Sequence, residues 1–302
     1  MKKIIYLILS VLFIFGFCIK AEALTLSDFF IYQDDAGSST LHDRNTLTGG
    51  FIGSNNDVKI HNDNSTKSIM GGGDLTLHDR NNITGDATFD GSVTLGVANT
   101  ITGTTSANGV PNSFVPISLP TPTVFSTGGS NVTTGGLLTP GSYGDLTQGG
   151  VLSLNLTSGN YYFDQINLNN GNVINLNLSS GAINIYVTGD FDLHDSNNFI
   201  ITGGSASNVY TEVHGKWNFH NDNTWGGTVY APNDFIKFHD GNNINGALYS
   251  GTFVDIHDDN TLIFSPVSPS NTAAAPEPST IFLLGLGFLG ARRFKKELSR
   301  PS

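Results

Sequence analysis

Apolar and polar residues alternate along most of the chain in short runs, and each run is followed by a polar segment. Runs such as Val58-Lys59-Ile60, Leu152-Ser153-Leu154 and Val254-Asp255-Ile256 have the period of two that is expected of a β-strand with one buried face. The segments between them are rich in Gly, Asn, Asp, Thr and Ser, which favour turns and disfavour helix interiors. The pattern therefore predicts an all-β protein.

A five-residue phrase recurs along the chain: an apolar residue, His, Asp or Asn, a variable residue, and Asn. Its copies contain seven of the eight His residues and are Leu41–Asn45, Ile60–Asn64, Leu77–Asn81, Leu193–Asn197, Phe219–Asn223, Phe238–Asn242 and Ile256–Asn260. A repeat of about 18 residues is too short for a helix pair or a propeller blade, but it suits one turn of a solenoid made of three short strands. We therefore expect a parallel β-helix or β-solenoid.

The two ends of the chain differ from this body. Lys2 and Lys3 precede an apolar run that ends before Ala21-Glu22-Ala23, as in a secretory signal peptide. Several Pro residues between 104 and 139 interrupt the strand pattern. The predicted organisation is a signal peptide with its helix at 1–23, a first solenoid block at 24–103, a Pro/Thr/Gly/Ser-rich excursion at 104–139, a second block at 140–267, a linker at 268–275, and a C-terminal segment at 276–302 with a short membrane helix.

The C-terminal segment contains Pro276, Glu277 and Pro278, followed by an apolar run that is shorter than the roughly 20 residues of a full membrane span. It closes with the basic residues Arg292, Arg293, Lys295 and Lys296. This order resembles the PEP-CTERM sorting signal. The resemblance implies export by a Gram-negative bacterium, recognition of the Pro-Glu-Pro motif by an exosortase-type transpeptidase, membrane anchoring before processing, and delivery to the cell surface or an exopolysaccharide matrix. An ordinary anchor that is never cleaved is the alternative.

Charge and cysteine content exclude several functions. The formal net charge is −11, and 22 acidic residues face six basic ones between positions 24 and 275, so a nucleic-acid partner is not expected. Cys18 lies inside the signal-peptide run, which leaves the mature chain without a thiol for a disulfide or for catalysis. No motif of a hydrolase elbow, a zinc protease or a P-loop is present, and no pair of carboxylates stands apart from the repeats.

The body also resembles the β-helical repeats of secreted relatives of bactofilins, on the segments Gly227–Asn233 and Gly246–Tyr249 within residues 140–264. That resemblance implies the solenoid shape.

The repeated phrase has two interpretations. In the first, Asp-x-Asn closes a corner through bonds from side chain to backbone, with Asn in the left-handed region, and His is an edge residue. In the second, aligned His and Asp residues bind Zn²⁺, Cu²⁺ or Ni²⁺ between turns, or Asp and Asn oxygens bind Ca²⁺. The candidate ligands are His42, Asp43, His61, His78, Asp79, His194, Asp195, His220, His239, Asp240, His257 and Asp258.

The expected function is that of an exported structural or adhesive protein of the surface or matrix, associated with exopolysaccharide, without enzymatic activity and without a cofactor apart from the metal just discussed. A glycan-binding protein or a polysaccharide lyase or glycosidase is an alternative. Aromatic platforms for sugars would come from Tyr161-Tyr162-Phe163, Trp217 and Trp225 if these were exposed, whereas aromatic residues in strands more often lie in the core or stack along a ladder. Ice binding is another alternative function, through a row formed by the recurring Thr48, Thr84 and Thr102, although Lys67 and Asn245 interrupt this row. Leu24–Tyr32 and Leu262–Val267 are candidate caps for the solenoid ends.

Overall fold

The computed structural model describes residues 24–34, 37–107, 114–148 and 151–266. These residues form β-strands and two short 3₁₀ turns, Leu26–Asp28 and Ala206–Asn208. Every strand pair within them is parallel, which confirms the predicted parallel β-solenoid. The predicted signal helix and C-terminal membrane helix lie outside the described ranges. Inside those ranges, no helix has the length and hydropathy needed to cross a bilayer.

The strands of the N-terminal half are β1 (Phe29–Gln33), β2 (Ser38–Leu41), β3 (Thr46–Thr48), β4 (Phe51–Ser54), β5 (Asp57–Ile60), β6 (Ser65–Thr66), β7 (Ser68–Gly71), β8 (Leu75–Leu77), β9 (Asn82–Ile83), β10 (Ala87–Phe89), β11 (Val93–Leu95), β12 (Thr100–Ile101) and β13 (Thr105–Ser106). Those of the C-terminal half are β14 (Gly136–Leu138), β15 (Gly141–Ser142), β16 (Leu146–Gln148), β17 (Ser153–Thr157), β18 (Gly159–Phe163), β19 (Ile166–Leu168), β20 (Val173–Asn177), β21 (Ile183–Val187), β22 (Phe191–Leu193), β23 (Asn198–Thr202), β24 (Val209–Val213), β25 (Trp217–Phe219), β26 (Thr224–Ala231), β27 (Ile236–Phe238), β28 (Asn243–Ser250), β29 (Val254–Ile256) and β30 (Thr261–Phe264).

Each turn of the solenoid contributes a strand to three faces. The histidine face is the ten-stranded sheet β11-β8-β5-β2-β29-β27-β25-β22-β19-β16. The threonine–asparagine face comprises β12, β9, β6, β3, β30, β23, β20, β17, β14 and the first halves of β28 and β26. The strap face comprises β13, β10, β7, β4, β1, β24, β21, β18, β15 and the second halves of β28 and β26. β26 and β28 are long because they run around the corner between the last two faces.

The chain enters the solenoid in its middle. β1 pairs with β28 on one side, where Tyr32 faces Tyr249, and with β4 on the other, where Ile31 faces Ile52. From there the N-terminal half builds outward to β11–β13, and the C-terminal half begins at the opposite end with β14–β16 and returns to meet β1–β3. The two predicted blocks therefore stack into a single solenoid. We call the contact of β1–β3 with β28–β30 the junction.

This path shows that the predicted caps are wrong. Leu24–Tyr32 and Leu262–Val267 contain β1 and β30, which are paired on both sides at the junction. The ends of the solenoid are instead the turns β11–β13 and β14–β16. Strands from distant parts of the sequence satisfy the edges of β1 and β30, so no cap is required there.

An extended segment, the strap (residues 114–131), connects the two ends along the strap face. The Phe114 N–H donates to Asp90 Oδ1 at 3.0 Å near one end, and the Ile117 N–H donates to Tyr32 Oη at 2.7 Å at the junction. The Gly128 N–H donates to the Tyr143 carbonyl at 2.9 Å near the other end. The strap lies within the predicted excursion and spans the solenoid because the two halves start from opposite directions.

The turn length is not constant. It is 17 residues from Val58 to Leu75, close to the predicted value, but 26 residues from Phe191 to Trp217. The longer turns keep three strands each and place the extra residues in the corners, one of which forms the second 3₁₀ turn. Inward apolar side chains fill the interior, and the ring centroids of Phe191 and Trp217 stack at 4.2 Å.

Candidate functional site

The seven His residues of the repeated phrase form one unbroken ladder on the histidine face. Neighbouring ring centroids lie 4.6–5.0 Å apart in the order His78, His61, His42, His257, His239, His220 and His194. The apolar residue before each His points into the core, so the His points outward, as expected of neighbours on a strand. The ladder is continuous only because the junction places His42 on His257 at 4.6 Å.

The Asp residues beside these His residues bond to backbone. Asp43 Oδ1 accepts the N–H of Asn62 at 2.9 Å, and Asp258 Oδ1 accepts the N–H of Asp43 at 2.9 Å. Asp79, Asp195 and Asp240 accept N–H groups of the next turn in the same way. These contacts are those of the corner interpretation.

The Asn that ends the phrase forms a second, buried ladder. Asn242 Oδ1 accepts the N–H of Asn223 at 2.8 Å, and Asn260 Oδ1 accepts the N–H of Asn242 at 2.8 Å. The series crosses the junction, where Asn45 Oδ1 accepts the N–H of Asn260 at 2.9 Å. The Asn242 Nδ2 also donates to the His239 carbonyl at 3.0 Å, so the side chain closes its own corner.

The predicted left-handed conformation of Asn is wrong. The residue with positive φ is the variable one before it, as in Arg44 (60°), Ser196 (61°) and Asp259 (61°), with Gly241 at 73°. The Asn itself does not have a positive φ, directly precedes the next strand and has a buried side chain. Neighbouring copies also exchange exposed ion pairs, in which Arg44 Nε lies 2.7 Å from Asp259 Oδ1 and holds the pKa of that carboxyl below its usual range.

The ladder disfavours protonation of two of its members. Burial lowers the pKa of His61 and of His239. The adjacent imidazoles lower both pKa values further, as do the amines of Lys59 for His61 and Lys237 for His239, because a positive charge on the ring would lie beside other cations. These two imidazoles are therefore held neutral more strongly than a free His.

Metal binding between neighbouring turns depends on the tilt of the rings. His61 and His78 are nearly parallel at 12°, as are His194 and His220 at 9°. The lone pair of a ring nitrogen lies in the ring plane, so two face-to-face rings do not direct lone pairs at one ion. Three of the six neighbouring pairs have interplanar angles of 9–12° and are not oriented to share an ion, whereas the other three are tilted by 34–41°. Metal binding along the ladder stays a prediction.

A different arrangement occurs at the junction. His42 and His257 are tilted by 35°, and both approach Asp255, which occupies the outward position of β29. His42 Nε2 lies 3.0 Å from Asp255 Oδ1, and His257 Nε2 lies 3.3 Å from Asp255 Oδ2. Lys237 Nζ is 3.6 Å from the same carboxylate. The structure thus groups His42 and His257 of the predicted ligands with Asp255, which the sequence-based analysis missed although its i, i+2 spacing to His257 places both on one face.

The threonine–asparagine face carries a second regular array. One outward residue from each of ten turns forms a row in direct register: Ser153, Val173, Asn198, Thr224, Asn243, Thr261, Thr46, Ser65, Asn82 and Thr100. At the usual strand spacing this row is about 43 Å long. None of its members is charged or aromatic, and each is at least partly exposed.

The neighbouring row contains the three Thr residues of the ice-binding alternative. Thr48 lies in register with Ile263, which faces Asn245. Lys67 is the charged member, and its Nζ lies 5.5 Å from the centre of the Phe51 ring. The lysine that interrupts this row therefore leans toward an aromatic ring at the start of β4.

Most of the aromatic residues considered as sugar-stacking platforms lie in the core, as is usual for aromatic residues in strands. Tyr161, Phe163 and Trp217 have no exposed surface, and Trp225 is 2% exposed. Their rings face inward because they occupy the core positions of their strands. Tyr162 points outward, but Phe125 of the strap packs against it with ring centroids 5.7 Å apart.

A buried carboxylate on the strap face was also missed. Glu212, the one Glu among the 22 acidic residues of the body, is 1% exposed and accepts bonds from the Thr123 N–H at 2.6 Å and the Thr123 hydroxyl at 2.8 Å. The Tyr210 hydroxyl donates to it at 3.1 Å, and His214 Nε2 lies 2.8 Å from it. Glu212 therefore attaches the strap to β24.

Two family descriptions match parts of the chain. Residues 126–224 match a domain of unknown function, DUF7305, and residues 274–296 match the PEP-CTERM protein-sorting motif. No curated protein matches the chain. The sorting residues Pro276, Glu277 and Pro278 and the basic residues after them lie outside the described ranges, so their identification is a matter of sequence.

Solved structures that are similar to the chain include three ice-binding proteins. An ice-binding protein from the Antarctic ascomycete Antarctomyces psychrotrophicus has 18% identity and a TM-score of 0.43, over 81% of this chain and 96% of that one. The DUF3494 domain of Shewanella frigidimarina ice-binding protein 1 has 13% identity and a TM-score of 0.40, over 80% and 95%. A glycosylated ice-binding protein from an Arctic yeast has 16% identity and a TM-score of 0.40, over 82% and 95%.

Similarities at this level assign no activity to the chain. They are to ice-binding proteins rather than specifically to bactofilin-like proteins. The predicted PEP-CTERM sorting motif is confirmed, and the chain is an exported protein that carries it.

Proposed function

We propose that this protein is displayed at the cell surface, where its threonine–asparagine face binds ice. The role is one of adsorption and involves no catalysis. The observation that carries the proposal is the uncharged ten-residue row with one side chain per turn. Such a row repeats at a fixed interval because every member occupies the same register position in a stack of parallel strands.

The composition of the row suits an ordered water surface. Thr and Ser hydroxyls and Asn amides bond to water in fixed positions, whereas an ammonium or carboxylate holds its own hydration shell strongly. In the neighbouring row the Asn175 Nδ2 donates to Asn155 Oδ1 at 2.9 Å, which fixes both amides along the stack. The acidic and basic side chains of the repeats lie mainly on the histidine face and its corners.

Glycan binding has less support on this face. Protein surfaces that bind sugars commonly present aromatic rings for stacking, and the row has no aromatic member. Tyr161, Phe163, Trp217 and Trp225 are in the core, and Tyr162 packs against Phe125 of the strap.

The test compares one substitution on two faces of the full-length protein. Thr261→Tyr places a bulky side chain in the middle of the row, between Asn243 and Thr46. Thr76→Tyr makes the same change at an outward position of β8 on the histidine face. We expect the unchanged protein and Thr76→Tyr to inhibit ice recrystallisation at the same concentration, and Thr261→Tyr to require a several-fold higher one.

Inhibition that is absent in the unchanged protein, or equally affected by the two substitutions, would refute the proposal. Circular dichroism of both variants establishes that the fold is retained.

Attachment to an uncharged exopolysaccharide of the surface matrix is the second candidate. The sorting motif supports this candidate, because an exported chain displayed at the surface would be able to reach such a polysaccharide. The test is cosedimentation with uncharged polysaccharide particles. This candidate would be selected over ice binding if the unchanged protein cosediments, Thr261→Tyr does not, and neither protein affects ice crystals.

A further inference from the structure

We propose that His42, Asp255 and His257 bind one divalent ion of the zinc class at the junction of the two halves. One imidazole faces each oxygen of the Asp255 carboxylate, at 3.0 Å from His42 and 3.3 Å from His257. One ligand atom from each of the three residues lies within 4.8 Å of the other two. The set is assembled from the first turn of the chain and the last, since 213 residues separate His42 from Asp255.

Among the described residues, the junction is the place in the ladder where one carboxylate lies within 3.3 Å of two imidazoles. The His42 and His257 rings are tilted by 35°, and the Nε2 atom of each lies within 3.3 Å of an Asp255 oxygen. Asp192 occupies the same outward column near the other end of the face and serves as an internal comparison. It contacts His220 at 3.4 Å, but His220 is nearly parallel to both of its neighbours, at 9° and 10°. Asp192 therefore meets one imidazole where Asp255 meets two.

Two imidazole nitrogens and one carboxylate oxygen suit Zn²⁺, with water as the fourth ligand. Ca²⁺ prefers oxygen ligands and is not expected. The side chains of His42, Asp255 and His257 are 33%, 21% and 30% exposed, so they have room to close from hydrogen-bond distances to the roughly 2.0–2.2 Å of zinc ligation. Each Nε2 must then present its lone pair to the ion, and the ring proton moves to Nδ1 or is released.

Lys237 competes with the ion. Its Nζ lies 3.6 Å from Asp255 Oδ2 and neutralises the carboxylate in the absence of metal. The lysine side chain is 29% exposed, which allows the amine to move into water when the ion enters. Removal of this amine should therefore strengthen metal binding.

The consequence of binding is a crosslink. An ion held by His42 and His257 would tie β2 to β29, which no short connection joins along the chain. Because the ion binds the assembled junction and not the unfolded chain, it should raise the melting temperature with increasing free metal.

The experiment is calorimetry with ZnCl₂ on the purified full-length chain, without a polyhistidine tag and after removal of metal by a chelator. The variants are Asp255→Asn, the matched control Asp192→Asn, and Lys237→Met. We expect one equivalent of zinc in the unchanged protein, binding weakened at least about tenfold in Asp255→Asn, binding within about twofold in Asp192→Asn, and tighter binding in Lys237→Met.

Melting curves with and without zinc provide the second readout. A rise in melting temperature in the unchanged protein and in Asp192→Asn, but not in Asp255→Asn, would support the proposal even if a variant is less stable. No heat up to millimolar zinc would overturn it. Several equivalents with the same affinity in Asp255→Asn would also overturn it, since the ions would then bind exposed imidazoles along the ladder.

Discussion

Replacement of Asn242 by Ala tests the buried Asn ladder. The change removes Oδ1, which accepts the Asn223 N–H at 2.8 Å, and Nδ2, which donates to the His239 carbonyl at 3.0 Å. Both backbone groups would remain inside the corner without these partners, and Asn242 itself is 1% exposed. Because each unsatisfied buried group costs about 1–3 kcal/mol, we expect a loss of about 2–4 kcal/mol in the free energy of unfolding.

The adjacent residue provides a matched control. Asn243 begins β28 on the exposed threonine–asparagine face, so Asn243→Ala should change stability by less than about 0.5 kcal/mol. Urea unfolding of both variants, followed by circular dichroism and by tryptophan fluorescence near Trp225, measures the difference and shows whether the solenoid unfolds in one step. If Asn242→Ala were as stable as Asn243→Ala, the ladder would not stabilise the corners as argued.

Ser196→Gly should raise the free energy of unfolding by roughly 0.5–1 kcal/mol in urea titrations, because Ser196 has a φ of 61°. Gly241→Ala, at the matching corner with a φ of 73°, should lower the free energy of unfolding, and changes of the same sign in the two variants would contradict the explanation. Glu212→Gln should loosen the strap, which is bonded to Glu212 through Thr123, so limited proteolysis should cut between 114 and 131 faster while the melting temperature changes little. An unchanged rate of cleavage would show that Glu212 does not hold the strap. Burial raises the pKa of Tyr249, so the stability gained from its neutral hydroxyl is present below about pH 10 and is lost as pH rises above that value. The urea midpoint should therefore fall between pH 9 and pH 11, and a constant midpoint would contradict this.

Local pattern was sufficient for the elements of this protein. The alternation of apolar and polar residues placed the strands, and the repeated phrase predicted an outward His and a corner closed by Asp and Asn. The strand pattern depends on residues within one turn, and the corner bonds join a phrase to the phrase of the adjacent turn, so both follow from a short repeat. The tail could likewise be identified from its own residues, because a sorting motif is read as sequence.

The sequence pattern did not reveal the order of the turns in space. All turns carry similar phrases, so the phrase cannot show that β1–β3 pair with β28–β30 rather than form an end of the solenoid. The same pairing makes the His ladder continuous and brings His42 to Asp255. The strap, which Glu212 binds, is also a result of this pairing, because a connection must span the solenoid when the two halves start at opposite ends. Strand edges pair wherever a compatible edge is available, and that choice is made by the folded chain as a whole.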